Sequence, residues 1–498
     1  MTYISIPSFN YNIVFNIEFF SSKNKNKPYE QKISNSLYRQ LINIKEQIHN
    51  NNNNLDFYKK ITNPYEYIHT PFNNNNNNYS ICKYKPLSRS FFKMIEIINV
   101  FNFLNHENNI TSFHLAEGPG GFIEAFNYYR NNKKDLYYGM TLISNNINIP
   151  SWKKSSNFIN LNKNVKIVTG ESKNGDLFLK ENFLFINENF KNSIDYITGD
   201  GGFDFSIDFN KQEDLSLKLI ISQIFYAIIM QKSGGVFILK VFDTFNLKTI
   251  EMLFLLSNCY ENIYSYKPNT SRIANSEKYI IFKNFKDNKF ITNIKTKIIE
   301  NFDYILNNLD NIKTFFNIDL PIIFLNKIEE LNAIYGQQQL ENINITLNLI
   351  REYNNLNHEN FKNKLDYLLN IDVVINNILN EINDYNEVSE DNEVCEDNEV
   401  NEDNEIKDIS LNTTSKPIYI SNIIDNKVNI SPTNSYKYSL SPKESFLTFK
   451  DVVDISNNNK KNDFNKLQNK LLILKNINIR KCIGWCNKYN LPINKDIL

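Results

Sequence analysis

The chain is expected to fold as an α/β protein on a seven-strand, doubly wound, mostly parallel sheet with helical extensions at both ends. Three observations carry this expectation. Eleven of the 13 glycines lie between Gly118 and Gly235, and such crowding marks turns that need positive φ or a close approach of ligand to backbone. Within that window short β-rich runs alternate with helical ones, the pattern of parallel strands joined by crossover helices. Finally, the polar motifs follow the ends of those strands, where open sheets of this class bind ligands.

The elements follow in order. Residues 1–80 hold the helical stretches QKISNSLYRQLINIKEQIH (31–49) and YKKITNPYEYIHT (58–70) between asparagine-rich loops, and read as a helical preface beside the active-site side. Residues 81–286 form the sheet domain. Its strands are FHLAE (113–117), LYYGMTL (136–142), VKIVT (165–169), IDYITG (194–199), GGVFILKVF (234–242) and two more near 262–267 and 278–285. Its helices include SRSFFKMIEI (88–97), GFIEAFNYYR (121–130), SLKLIISQIFYAIIMQK (216–232) and NLKTIEMLFLLSNCY (246–260). Residues 287–383 are helical by apolar spacing, notably over 322–350. Residues 384–464 form an acidic, low-complexity linker: EDNEV-like units repeat from Glu387 to Glu405 without aromatic anchors, so burial cannot repay the entropy of ordering. Residues 465–498 regain helical periodicity and are expected to dock back on the earlier helices.

Composition excludes more than it identifies. Lys+Arg and Asp+Glu both number 55, so any polyanion site must rest on a local patch. The cysteines, Cys82, Cys259, Cys395, Cys482 and Cys486, are odd in number and scattered, which suits a reducing compartment and predicts an intracellular protein. The first 20 residues lack a basic stretch before an apolar core, and no run reaches the roughly 18 apolar residues of a membrane span. The chain therefore reads as soluble, uncleaved and without a membrane partner. The runs Asn50–Asn54 and Asn73–Asn78 read as loop tips. Cys482 and Cys486 lie one helical turn apart, but structural zinc wants four N/S ligands and no histidine is near in sequence, so no metal is expected.

After the first strand comes Glu117-Gly118-Pro119-Gly120-Gly121-Phe122, followed directly by a helix. Main-chain N–H groups and the positive helix end face the crevice there, as a small nucleotide-like ligand requires. It is neither G-x-G-x-x-G with a later ribose acid nor a phosphate loop ending in Lys-Ser/Thr, which disfavours NAD and ATP. Taken alone, the loop is equally a turn that lets helix and strand pack closely. Asp176, in Asn174-Gly175-Asp176-Leu177, is placed to accept a hydrogen bond from an adenine amino group, or equally to cap a helix.

Three ionisable groups converge on one sheet edge: Asp200 follows the strand IDYITG, Lys240 ends GGVFILK and Glu277 opens EKYIIF. A fourth, Lys93, sits on the helix SRSFFKMIEI. With LAEGPGGFIEA, DGGFDFS and KPNTSRIANSEKY, these motifs, spanning residues 83 to 285, resemble the FtsJ-like family of RNA 2′-O-ribose methyltransferases. Their wording is nearest the cap-specific, adrift-type branch that includes giant-virus relatives. The resemblance implies a Rossmann-like class I methyltransferase fold, S-adenosyl-L-methionine as cofactor and a Lys-Asp-Lys-Glu tetrad in the order Lys93, Asp200, Lys240, Glu277. It implies cofactor contacts from Glu117, Gly118, Pro119, Gly120, Gly121, Phe122, Thr141, Asp176 and Asp200. Asp200 would face the methionine end of the cofactor, and Glu277 would position Lys93 or the nucleotide. It further implies a capped, single-stranded RNA 5′ end as partner, a capping-machinery protein on the acidic linker, and the host cytoplasm as location if the protein is viral. One departure stands out. Relatives often carry an acidic residue after the second strand to bind the cofactor ribose, whereas this chain has Gly139-Met140-Thr141, leaving Glu117 or the Thr141 hydroxyl as substitutes.

The chemistry explains why these residue types are needed. A ribose hydroxyl is a poor nucleophile until its proton is removed, and the donor methyl is already activated on a sulfonium, so a base and alignment suffice. A lysine serves as base only when neutral, and a free lysine of pKa near ~10.4 is about one part in a thousand neutral around pH 7.4. Basic and aromatic residues flank the motifs in KYKPLSRSFFK (83–93), PSWKKSS (150–156) and KPNTSR (267–272), as phosphate binding and base stacking require. Trp152 is the stacking candidate, with packing under a loop as the alternative. Two other functions fit the same motifs: the same chemistry on ribosomal or transfer RNA, and a non-catalytic RNA-binding scaffold that kept the fold.

Overall fold

The computed structural model describes residues 3–20, 32–49, 55–71, 80–354 apart from 145, 147–148, 203–208 and 317, and residues 460–494. In chain order the strands and helices are β1 (Ile4–Ile6), β2 (Phe15–Phe19), α1 (Asn35–His49), α2 (Leu55–Thr62), α3 (Ser90–Phe101), β3 (Thr111–Leu115), α4 (Gly121–Arg130), β4 (Leu136–Met140), α5 (Ser156–Leu161), β5 (Val165–Ile167), α6 (Lys180–Phe190), β6 (Ile194–Gly199), α7 (Gln212–Met230), β7 (Gln231–Val241), α8 (Leu247–Cys259), β8 (Tyr260–Tyr266), β9 (Lys278–Phe285), α9 (Lys289–Asn307), β10 (Ile312–Phe316), α10 (Ile322–Asn354) and α11 (Lys460–Lys488).

The seven expected strands form one sheet, ordered β8-β9-β7-β6-β3-β4-β5, with β9 antiparallel to both of its neighbours and β7-β6-β3-β4-β5 parallel throughout. Strand composition explains the arrangement. From Val236 to Leu239, β7 is apolar at every position, and all four residues are nearly inaccessible. Such a run suits a central strand with both faces covered by helices. Apolar almost all round, α7 is buried along most of its length and packs against β7, α6, α8 and α9. The chain winds outward through β3, β4 and β5, then returns through β6 to the other side of β3. Strand order therefore reverses between Leu115 of β3 and Gly199 of β6, which are register partners. Ligands bind at such switch points, and Glu117 and Asp200 lie just beyond.

The flanks differ from the sequence expectation. Residues 1–80 are not a purely helical preface, because β1 pairs antiparallel with β8 as an eighth, edge strand of the main sheet. The helical extension after residue 286 also contains a strand, β10, which pairs with β2 in a separate two-stranded sheet. Both departures have one cause. β1 and β2 are short, and their pairing partners lie about 260 and 295 residues away, respectively, so local periodicity carries no trace of them. Lys32 and Lys45 tie the N-terminal part to the sheet domain through ion pairs of 3.1 Å with Asp214 and Asp243. The C-terminal helix runs over Lys460–Lys488 and packs on α2 and the 3-10 turn Glu66–Ile68, as docking on earlier helices requires. The acidic repeat lies outside the described residues. No helix of the described residues is long and apolar enough to cross a membrane.

Candidate active site

The loop after β3 is shaped by what a side chain would strike. A Cβ on Gly118 would lie 2.8 Å from the Pro150 carbonyl oxygen and 3.1 Å from Thr141 Oγ1. Gly120 has φ +107°, a region L side chains rarely adopt. Thr141 directly follows the neighbouring strand β4, and its carbonyl oxygen would meet a Gly175 Cβ at 2.0 Å, so the loops after β3, β4 and β5 close on one another. Glu117 is buried there. Its Oε1 accepts the amides of Phe122 at 2.6 Å and Ile123 at 3.3 Å, capping α4, while Oε2 is buried with no partner among the described residues. Burial, reinforced by the charge of Asp200, pushes its carboxyl well above the usual range. A glycine cradle, a helix N-terminus and an unpartnered buried carboxyl oxygen fit the nucleoside-type cofactor expected here.

α3 reaches this site by packing on α4. A Gly121 Cβ would meet the Ser88 and Ser90 hydroxyls at 2.2 Å, and Glu124 of α4 accepts from the Leu87 amide at 2.7 Å and the Tyr84 hydroxyl at 2.9 Å. Lys93 is thereby turned toward β9, where its Nζ donates to Glu277 Oε1 at 2.5 Å. Across the same end of the sheet Lys240 Nζ lies 3.1 Å from Asp200 Oδ1 and donates to the Asp200 carbonyl oxygen at 2.6 Å. The two ion pairs are joined by a residue absent from the sequence expectation. Tyr279 places its hydroxyl 3.1 Å from Asp200 Oδ1 and 3.1 Å from Glu277 Oε1. Its signal was nevertheless in the sequence: Glu277 and Tyr279 are two apart, the spacing that puts strand residues on one face.

Four residues expected from distant positions, Lys93, Asp200, Lys240 and Glu277, thus form one connected cluster. Burial raises the Glu277 carboxyl, but the cations of Lys93, Lys240 and Lys267 outweigh it and hold the group ionised, well below the ordinary carboxylate range. Burial lowers Lys93, an effect only partly offset by Glu277 and reinforced by Arg89. A charge here is balanced locally, as buried ions must be.

Other expected residues are placed less directly. Asp176 is half-buried, and its Oδ1 accepts from the Phe178 amide at 2.8 Å in a local turn ahead of α6, whose N-cap is Leu179. Trp152 is half-buried against the glycines: a Cβ on Gly139 would lie 2.7 Å from its Cη2 and one on Gly120 3.4 Å from its Cζ3. Its indole therefore packs on the loop after β3 and on β4 itself, the alternative to open stacking, and among the described residues its buried Nε1 has no partner. Of the basic stretches, 267–272 is structural. Lys267 donates to the carbonyl oxygens of Asn275 at 2.5 Å and Glu277 at 2.8 Å, and Arg272 holds Glu66 through Nε at 3.0 Å and Nη2 at 2.5 Å. Lys83, Lys153 and Lys154 are exposed. Cys82, Cys482 and Cys486 are buried together: Cys486 hydrogen-bonds Cys82, and Cys482 donates to the Pro64 carbonyl oxygen at 3.4 Å. Among the described residues no group of three or more His, Cys, Asp or Glu side chains is arranged to hold a metal ion.

Comparison with known proteins agrees with the fold. The profile of the family described as FtsJ-like methyltransferase matches residues 86–285. The chain is similar to the cap-specific mRNA (nucleoside-2′-O-)-methyltransferase of Autographa californica nuclear polyhedrosis virus, 32% identical over 234 residues, covering 46% of this chain and 85% of the viral protein. It is similar to cap-specific mRNA (nucleoside-2′-O-)-methyltransferase 2 of Danio rerio, 28% identical over 275 residues, 53% of this chain and 36% of that protein. With cap-specific mRNA (nucleoside-2′-O-)-methyltransferase 1 of Mus musculus it shares 28% identity over 242 residues, 45% of this chain and 27% of the mouse protein. The chain therefore spans most of the viral relative but well under half the length of the two vertebrate ones.

Proposed function

The chain belongs to the FtsJ-like methyltransferase family, and from that premise we propose that it transfers a methyl group from S-adenosylmethionine to a ribose 2′-hydroxyl near the capped 5′ end of an mRNA. The observation that carries this reading is the cluster at the carboxyl ends of β6 and β7: Lys240 on Asp200, Lys93 on Glu277, and the Tyr279 hydroxyl between them.

Glu117, Gly118, Pro119, Gly120, Gly121 and Phe122 hold the cofactor, with Thr141, Asp176 and Asp200 completing its contacts. Bound there, S-adenosylmethionine supplies a methyl group on a positively charged sulfur that leaves as a neutral thioether. The protein's own work is at the hydroxyl. After giving up its resting proton to solvent, Lys240 takes the 2′-hydroxyl proton on Nζ, breaking the O–H bond and forming N–H as the freed oxygen takes the methyl group. Asp200 accepts from the same nitrogen through its main-chain carbonyl and sets Oδ1 3.1 Å away as its ion-pair partner, which fixes the direction of the amine and stabilises the ammonium once formed. Ionised Glu277 holds Lys93 beside the reaction, and Lys93 supplies a fixed positive charge for the alkoxide that develops. Exposed Lys83, Lys153 and Lys154 offer charge to RNA phosphates at the rim.

The test is methyl transfer from labelled S-adenosylmethionine to matched capped and uncapped transcripts, with nuclease digestion to locate the label. Label in a 2′-O-methyl nucleotide adjacent to the cap supports the proposal. Label entering uncapped transcripts as readily as capped ones redirects it, and no label in either contradicts it.

A further inference from the structure

One fully buried carboxylate beside the tetrad has no part in the chemistry above. Glu96 lies one helical turn after Lys93 on α3 and is inaccessible to solvent. Its Oε1 accepts from the Tyr266 hydroxyl at 2.6 Å and the Asn269 amide at 2.7 Å; its Oε2 accepts from the Trp485 indole N–H at 3.1 Å and from the Thr270 amide and hydroxyl at 3.4 Å each. We propose that Glu96 is a positioning residue that sets the Lys93–Glu277 arm of the site, and that the C-terminal helix α11 is a working part of the enzyme through Trp485; this inference rests on the roles proposed for the tetrad.

The geometry links the pieces in a specific way. Lys93 is carried by α3, and Glu277 is delivered by the loop that begins at Lys267. Glu96 grips the near end of that loop while its own helix turn presents Lys93, so one carboxylate fixes the lysine and its partner against each other. Trp485 closes the arrangement from a part of the chain almost 400 residues away. Its indole donates to Glu96, and its ring meets Phe92 edge-on at 5.9 Å, so it contacts α3 on both sides of Lys93 in sequence. α11 is itself anchored. Asn478 Nδ2 donates to the Ile61 carbonyl oxygen at 2.8 Å, and after the helix the Lys83 amide donates to Pro492 at 2.8 Å and the Asn494 amide to Ile81 at 2.9 Å. The chain that follows α11 is therefore paired with the segment that leads into α3.

A buried carboxylate that served only stability would be an expensive choice, since a charge there must be matched by several donors to break even. Its donors come from the loop that carries Glu277, from β8 and from α11, which is what alignment of separate segments requires.

The experiment compares full-length Trp485→Phe, Glu96→Gln and Lys240→Ala with the wild type. It measures single-turnover methyl transfer to a capped transcript, S-adenosylhomocysteine affinity by calorimetry, and thermal melting. Phenylalanine keeps a ring against Phe92 and removes only the indole donor. The expected result is a drop in turnover of about 10-fold for Trp485→Phe and Glu96→Gln in folded protein, with cofactor affinity within about 2-fold of wild type. If Glu96→Gln does not fold, Trp485→Phe decides, supplemented by hydrogen exchange, which should be faster over 267–277 than in the wild type. Wild-type turnover in folded Trp485→Phe overturns the inference. So does a loss of turnover that tracks cofactor affinity and melting temperature together, the mark of a merely structural role. Turnover by Lys240→Ala would instead sink the tetrad reading, and this inference with it.

Discussion

Tyr279 stands directly opposite Lys240 in the antiparallel register of β7 and β9. Its hydroxyl, 3.1 Å from both Asp200 and Glu277, has one proton to give and two carboxylates to receive it, so it couples the two ion pairs of the site. Phenylalanine at 279 keeps the ring, which packs 5.9 Å from Phe122, and removes only that coupling. Turnover is expected to fall about 10-fold with cofactor affinity unchanged, since one hydrogen bond to a charged group is worth about 1.5–3 kcal/mol. Steady-state kinetics beside calorimetry checks it; an unchanged kcat would leave Tyr279 with a packing role only.

Alanine at Gly118 should strike at the cofactor instead. Its Cβ would lie 2.8 Å from the Pro150 carbonyl oxygen, a main-chain atom that cannot swing aside as a side chain can. Relieving that contact costs about 1–3 kcal/mol and moves the loop. S-adenosylhomocysteine titration is expected to show affinity weakened by about 10-fold or more, and affinity equal to wild type would mean that the loop is not the binding surface.

The sheet and the strand ends that carry Asp200 and Lys240 were legible in the sequence because their signals are local, whereas Lys93 and Glu277 rested more on the family resemblance. Strand-length apolar runs, the glycine loop and charged residues at strand ends are all read within a few positions, and Asp200 and Lys240 fall where such ends predict. What was not legible depends on distant pairing. β1 is recognisable only by its contact with β8, and the KPNTSR stretch reads as a basic patch until Lys267 is seen donating to backbone carbonyls and Arg272 to Glu66. Trp485 had no local signal at all, since its partner Glu96 is 389 residues away.

Removing one member of the Lys93–Glu277 pair should cost more than removing both charges. Lys93→Met leaves an ionised carboxylate with its closest cation gone, and a loss of about 3 kcal/mol is expected, at the low end for a broken buried pair because Lys240 and Lys267 remain nearby. The double variant Lys93→Met with Glu277→Gln should recover part of it. Urea unfolding of the two single variants and the double provides the check; strict additivity would mean that the pair is not coupled.

His114 gives a pH signature. It is fully buried between the Ser112 and Thr198 hydroxyls, and burial lowers its pKa from 6.5 to about 3. Because the folded value is depressed, the unfolded chain takes up the proton first, and this residue's contribution, complete above pH 6.5, declines as pH falls toward 3. Glu213 and Glu251, raised from 4.5 to about 7 by burial, act in the opposite sense, stabilising as pH falls from 7 to 4.5. Total stability will therefore conceal the histidine, but a difference will not. The penalty of His114→Gln should shrink as pH falls below roughly 6.5, approaching about 1.4 kcal/mol per pH unit near pH 5. A penalty constant over that range in urea titrations would mean that His114 does not stay neutral in the fold.

Lys240 is proposed to act on the ribose hydroxyl and not on the cofactor. Lys240→Ala, assayed for methyl transfer to a capped transcript and titrated with S-adenosylhomocysteine in parallel, separates the two. The expected result is no detectable transfer with cofactor affinity close to wild type; transfer at the wild-type rate would contradict it.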